Sequence, residues 1–196
     1  MTIQVGDHLP QVAFRVNGPD GPEAKTTDDL FKGRRIVLVG VPGAFTPSCH
    51  RNHLPGFVAK LDEIKARGVD AIFVTSVNDV FVLDAWQKAS GADGIDFLAD
   101  GNADFAKATG LDMDGSGFGL GPRSKRYAML VDDGVVLGRD GDAGLRALLG
   151  EALGDPDGGG LLGAGGHGLA GDGDGVNGPL LAHVLVLSSL GAGPPC

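Results

Sequence analysis

The sequence predicts an α/β domain, a central mixed sheet with helices on both faces, and three observations carry that prediction. Short apolar runs rich in β-branched residues, Ile36 to Val39, Asp70 to Val77 and Ile95 to Ala99, alternate with stretches of helical spacing. Two further apolar runs, Tyr127 to Val131 and Val135 to Leu137, flank Asp132-Asp133-Gly134, a strong signal for an antiparallel hairpin and so for a sheet that is not purely parallel. All nine Phe, the single Trp and the single Tyr precede residue 128, whereas residues 141–196 hold 17 of the 35 glycines, no aromatic residue and one basic residue, Arg146. The expected organisation is one packed domain over residues 1–150 and a glycine-rich tail over 151–196, disordered or irregular because it has little to bury.

Taken in order, Val5 to Pro10 reads as an entry turn, Val12 to Val16 as a strand and Asn17 to Gly21 as a turn dense in Gly, Pro, Asn and Asp. Asp28 to Phe31 forms a single helical turn ahead of the first central strand. That strand ends at Pro42-Gly43. Thr46-Pro47 is then a helix start, since a Thr side chain caps free amides and Pro is tolerated where no backbone donor is needed. Phe57, Leu61 and Ile64 keep helical spacing up to Gly68, a C-cap, with Pro55 expected to kink the helix from within. Val80 to Ala89 reads as a helix with Trp86 on its apolar side, Ala103 to Ala108 as a short helix, and Leu145 to Leu153 as a closing helix.

A formal charge of −9 and a pI near 4.8 leave no basic stripe to neutralise phosphates, so nucleic acid is not an expected partner. Met1 to Pro10 has neither the basic nor the apolar region of a secretory signal. The apolar run Leu180 to Leu190 is short of the about 20 residues that cross a bilayer, so no membrane partner is expected either. Two cysteines far apart in sequence point to a reducing compartment, the cytoplasm.

One of those cysteines, Cys49, falls in the first turn of the helix that starts at Thr46-Pro47. Unpaired amides and the positive end of the helix dipole there favour a thiolate. The plainer reading of a lone cysteine is a small buried hydrophobe, and that of Thr46 is a simple N-cap. Cys49, His50 and His53 have the spacing of metal ligands, but no further ligand is evident, so zinc is not expected and His53 reads as a helix-packing residue. Gly115 to Gly121 does not match the phosphate-binding glycine pattern and no clear strand precedes it; a loop shaping the pocket or a subunit contact fits better.

The stretch Pro42-Gly-Ala-Phe-Thr46-Pro-Ser-Cys49 has the pattern Pro-x-x-x-Thr-x-x-Cys. It is followed by HLPGF at 53–57, SVND at 76–79, GSGFGLG at 115–121 and RSKRYAMLVDDGVV at 123–136. With these motifs in this order, residues 3–137 closely resemble the peroxiredoxins, specifically the type II, peroxiredoxin-five-like branch. The resemblance implies a thioredoxin-like fold and a thiol peroxidase that reduces hydrogen peroxide and small organic hydroperoxides with no metal and no bound cofactor. It implies Cys49 as the peroxidatic cysteine, Thr46 as the hydroxyl that holds the peroxide, Pro42 as the residue shielding the pocket and Arg126 as the arginine completing the site. Read from the residues alone, Arg123, Lys125 and Arg126 are either a solvated basic cluster or a strand whose alternation sets Arg126 opposite the other two. The resemblance also implies a homodimer formed through loops around the site, with Phe81 and Phe118 as candidate contacts; the alternative is that both are core.

The sequence departs from some of these relatives in its second cysteine. A resolving cysteine would stand in the strand after the first helix, where this chain has Val74, or near the end of the fold; the other cysteine here is Cys196. A one-cysteine cycle follows, in which a sulfenic acid on Cys49 is reduced by an external thiol, glutathione with glutaredoxin or thioredoxin. A glycine-rich tether of about 50 residues spans on the order of 40 Å, so Cys196 can reach Cys49 but only at a modest effective concentration. A reading of another class is a redox-sensing or holdase-like binding protein on the same fold with weak peroxidase activity.

Overall fold

The structure, a computed structural model, describes residues 1–47, 50–51, 54–140 and 142–149. Cys49, His53, Cys196 and the tail expected over 151–196 lie outside the described residues. The architecture is a seven-stranded sheet in the order β2-β1-β5-β4-β3-β8-β9 with helices on both faces, as the alternation of elements predicts. Its centre is parallel: β3 (Arg35–Val41) pairs with β4 (Ala71–Ser76), and β4 with β5 (Asp96–Ala99). The strands β8 (Tyr127–Asp132) and β9 (Val135–Arg139) form the antiparallel hairpin, with Asp133 at φ 48° and Gly134 at φ 79° as its turn.

Period-two alternation divides the core. Val37, Val39 and Val41 of β3 face one side with Ile72 and Val74, while Ile36 and Leu38 face the other with Ala71 and Phe73. The first side is covered by α2 (Leu54–Ala59), α3 (Leu61–Ala66), α4 (Val80–Ala89) and α6 (Ala143–Leu149), which bury Phe57, Ile64, Leu83, Trp86 and Leu145 there. The second is covered by α1 (Thr27–Phe31) and α5 (Asp104–Ala108) through Leu30, Phe31 and Phe105. Each such side chain contributes about 1.5–3 kcal/mol on burial, which is why helices as short as α1 and α5 persist. Capping assists: Thr26 and Asp29 form a reciprocal capping box on α1, and the Asp79 carboxylate accepts from Val82 N at 2.9 Å at the start of α4.

Two expectations need correction. The turn after the first strand leads into an edge strand that polarity hides: β1 (Ala13–Gly18) pairs antiparallel with β2 (Gly21–Thr26), whose sequence GPEAKT is mostly exposed. A break between α2 and α3 falls at Lys60, with φ −106° and ψ 10°, while the residues just before α2, from which a kink at Pro55 would be read, include 52 and 53, outside the described residues. A strand does precede the glycine loop: β6 (Asp112–Asp114) pairs with β7 (Pro122–Ser124), and residues 115–121 join the two through one 3-10 turn. That connection leads into a strand and not a helix, so it has no phosphate-binding helix terminus.

Candidate active site

The strand β3 delivers its chain to the C-terminal edge of the sheet, where buried Pro42 and Gly43 begin an irregular connection. This connection's hydrogen bonds, among the described residues, are partly its own and partly to neighbouring elements. Thr46 N and Thr46 Oγ1 both donate to Gly43 O, at 3.4 and 2.9 Å. Because the Thr46 proton is committed there, its oxygen meets any further partner as an acceptor. Ala44 N reaches outside the connection to Asn78 Oδ1 at 3.0 Å, and the same oxygen accepts from Ser76 Oγ at 2.8 Å. Arg123 Nη1 donates to Val77 O at 2.5 Å, while Arg123 Nε lies 3.9 Å from the place a Cβ on Gly43 would take. That Nε is buried with no hydrogen-bond partner among the described residues.

The second anchor is aromatic. His50, whose backbone N donates to Thr46 O at 2.9 Å, presents Nδ1 to the indole N–H of Trp86 at 3.1 Å and lies 3.4 Å from Ser90 Oγ. Trp86 is fully buried and packs edge-on against Phe97 of β5, with ring centroids 5.4 Å apart. On the outer side Phe45 tilts over His50 at 5.7 Å and over Trp86 at 6.4 Å, holding a backbone φ of 59° that is unfavourable for a phenylalanine. Leaving the indole N–H unpaired at that depth would cost about 1–3 kcal/mol.

Of the residues expected to form the site, Pro42 and Thr46 lie together in this connection, and Cys49 follows three residues after Thr46 in the chain. Arg126 does not sit on a strand, so the alternation argument fails: Arg123 belongs to β7, and Lys125 and Arg126 form the link to β8. What positions Arg126 is its neighbour. Tyr127 is paired with Gly40 in the β3–β8 register, and a Cβ on Gly40 would come within 2.1 Å of the Tyr127 ring. Arg126 is therefore one residue beyond that pair, exposed, at the end of β3 from which the connection leaves. Phe81 and Phe118 are 69 and 59 % exposed, which removes the reading of both as core.

Sequence reasoning missed Asn78, Arg123 and the His50–Trp86 pair as parts of one site. Asn78 belongs to the SVND motif and could have been flagged as a polar residue at a strand's C-terminal end; nothing local marks Trp86 as a partner of His50. Burial shapes the charged groups beneath the site. It pushes the Tyr127 hydroxyl well above its ordinary range, with the nearby Asp100 carboxylate adding to the effect, so Tyr127 stays protonated and acts as a packing element. Burial also raises the Asp100 carboxyl, although it accepts from Phe105 N at 3.0 Å and Ala106 N at 2.9 Å to cap α5.

A cavity of about 250 Å³ opens elsewhere, where β1 meets β5 through the single pair Arg15↔Ala99. Of its charged lining, Asp84 pairs with Lys88 and Asn17, Lys25 with Glu23, and Arg34 lies over the Phe73 ring at 5.2 Å. Among the described residues no cluster of three or more His, Cys, Asp or Glu side chains converges as metal ligands, and no helix is long and apolar enough to cross a membrane.

Sheet order, flanking helices and a central strand followed in the chain by Cys49 define a thioredoxin-like α/β protein. Comparison with known proteins narrows this. The redoxin family model matches residues 4–143. Peroxiredoxin-2E-2, chloroplastic, from Oryza sativa subsp. japonica is 50 % identical over 141 residues, 69 % of this chain and 63 % of the rice protein, so the chain spans less than two thirds of that relative's length. Reduced Prx3 from Vibrio vulnificus, solved in complex with H2O2, superposes with a TM-score of 0.69 at 46 % identity, covering 72 % of this chain and 89 % of that one. Peroxiredoxin 5 from Alvinella pompejana superposes at 0.67 with 34 % identity, covering 77 and 97 %. The chain belongs to the redoxin family, as a type II peroxiredoxin.

Proposed function

We propose that the chain is a thiol-dependent peroxidase acting on hydrogen peroxide and small organic hydroperoxides through Cys49. The observation that carries the reading is the convergence of Thr46, Asn78 and Arg123 on the connection that leads from β3 to Cys49. The Vibrio relative crystallised with H2O2 supports the substrate class. The Cys49 thiolate attacks one peroxide oxygen; an S–O bond forms, the O–O bond breaks, and the second oxygen leaves with a proton as water or an alcohol. Thr46 Oγ1, an acceptor by virtue of its bond to Gly43 O, holds the peroxide O–H, and the Arg126 guanidinium stabilises charge developing on the leaving oxygen. Pro42, buried at the base of the connection, limits access of water to the sulfur. Positioning carries most of the rate, because lowering a thiol's pKa alone also lowers its nucleophilicity.

The sulfenic acid condenses with one external thiol, releasing water, and a second thiol restores Cys49 while the reductant leaves as a disulfide. Val74 stands buried in β4 where some relatives carry a resolving cysteine, which supports an outside reductant, glutathione with glutaredoxin or thioredoxin. The exposure of Phe45, Phe81 and Phe118 supports a homodimer built on the loops around the site, and the scarcity of cysteine supports a reducing compartment such as the cytoplasm.

Intact-mass spectrometry before and after about one equivalent of peroxide tests the cycle. Gain of one oxygen mapped to Cys49, with Cys49→Ser inactive and Cys196→Ser nearly as active as the parent, is expected. Loss of two hydrogens joining Cys49 to Cys196 would replace the one-cysteine cycle. No change in mass would favour a redox-sensing or holdase-like binding protein.

A further inference from the structure

We propose that His50 is a positioning residue for the reaction at Cys49, its imidazole fixed through Nδ1 by the indole N–H of Trp86. The inference rests on the peroxidase reading and adds a residue to it. An indole nitrogen can only donate, so the Nδ1 that faces it at 3.1 Å is the unprotonated nitrogen of the ring, and the ring proton is on Nε2. Orientation and tautomer are thereby set by one bond.

That bond ties His50 to the buried core. Trp86 lies on α4, is fully buried and abuts Phe97 of the central sheet, so its indole N–H has a fixed direction. Ser90, the C-cap of α4, puts a hydroxyl within 3.4 Å of the same Nδ1. From the other side Phe45 covers the ring, and the His50 amide closes a backbone bond to Thr46 O at 2.9 Å. His50 is thus held by its side chain to α4 and by its backbone to the residue that accepts the peroxide. Cys49 is covalently between these constraints, separated from the His50 anchor by one peptide bond. An in-line displacement at sulfur tolerates little misplacement, and a shift of about 1 Å is enough to slow a positioned reaction on the order of 100-fold. The thiol's ionisation has other determinants, so loss of the anchor separates peroxide reactivity from general thiol reactivity.

The protein contains a single Trp, so an ¹⁵N–¹H spectrum holds one indole cross-peak. In the parent protein that resonance is expected to be protected from solvent exchange and coupled across the hydrogen bond to His50 Nδ1. In His50→Leu it is expected to lose the coupling and exchange at least about 10-fold faster, and the peroxide reaction of Cys49 to slow about 10- to 100-fold while alkylation by iodoacetamide stays within about 3-fold. In His50→Asn, whose Oδ1 stands in for Nδ1 as acceptor, both protection and peroxide rate should return to within about 3-fold of the parent. The proposal is overturned if the coupling is absent in the parent protein, if His50→Asn is as slow as His50→Leu, or if His50→Leu reacts like the parent. A parent protein inert to peroxide is a different result, and it overturns the peroxidase reading on which the inference rests.

Discussion

Two connections leave the parallel centre of the sheet at the same edge, and they are built in opposite ways. The one after β4 is short: Val77, Asn78 and Asp79 pass directly into α4, whose first turn Asp79 caps, and Arg123 Nη1 donates to Val77 O. The one after β3 is long, keeps Phe45 at a positive φ, and depends on outside partners, Asn78 for Ala44 N, Trp86 for His50 and Arg123 beside Gly43. The compact connection serves as scaffold for the strained one. Among the described residues of that segment, side chains from neighbouring elements supply hydrogen bonds that the segment does not make for itself.

This contrast can be broken at graded cost. Gly40→Ala strikes deepest, since its Cβ would lie 2.1 Å from the Tyr127 ring and must push β8, with Arg126 just before it, away from β3. A loss of about 3 kcal/mol or more in chemical denaturation, with activity falling alongside, is expected. Asn78→Ala removes the shared acceptor of Ala44 N and Ser76 Oγ; peroxidase kcat/KM is expected to drop about 10- to 100-fold, and Asn78→Asp, which keeps an acceptor oxygen, to recover most of it. Asp79→Ala tests the other connection: it should lower stability by about 1 kcal/mol through the lost cap and leave kcat/KM within about 2-fold of the parent. If Asp79→Ala impaired turnover as much as Asn78→Ala, the division into scaffold and presented loop would be wrong.

The smallest effect is on pH. Burial raises the Asp100 carboxyl in the folded protein, so its protonation favours the folded state. Its contribution is fully present below the ordinary carboxylate range and is lost as pH rises through the folded-state value. Relative to Asp100→Asn, the parent should therefore lose stability as pH rises between about 3.5 and 7, a difference read from the denaturation midpoints of the two proteins. That variant should also be less stable at neutral pH, because an amide supplies one acceptor where Phe105 N and Ala106 N need two.

What the sequence determined by itself was whatever depends on neighbours along the chain. The buried runs at 36–41 and 71–76, α4 bounded by Asp79 and Ser90, and the hairpin at Asp133-Gly134 all follow from period, caps and turn residues that act over a few positions. The motif from Pro42 to Cys49 is likewise contiguous, and could be read as a site before any packing was known. The tertiary structure alone decided the rest. The polar strand β2 exists because β1 offers it a partner, and a helical break falls at Lys60, which no proline or glycine marks. Asn78, Trp86 and Arg123 join the site from 34, 36 and 46 residues away from the groups they hold. Their roles arise from contacts between the C-terminal edge of the sheet and α4, and no local pattern in a chain records which distant side chain will meet which.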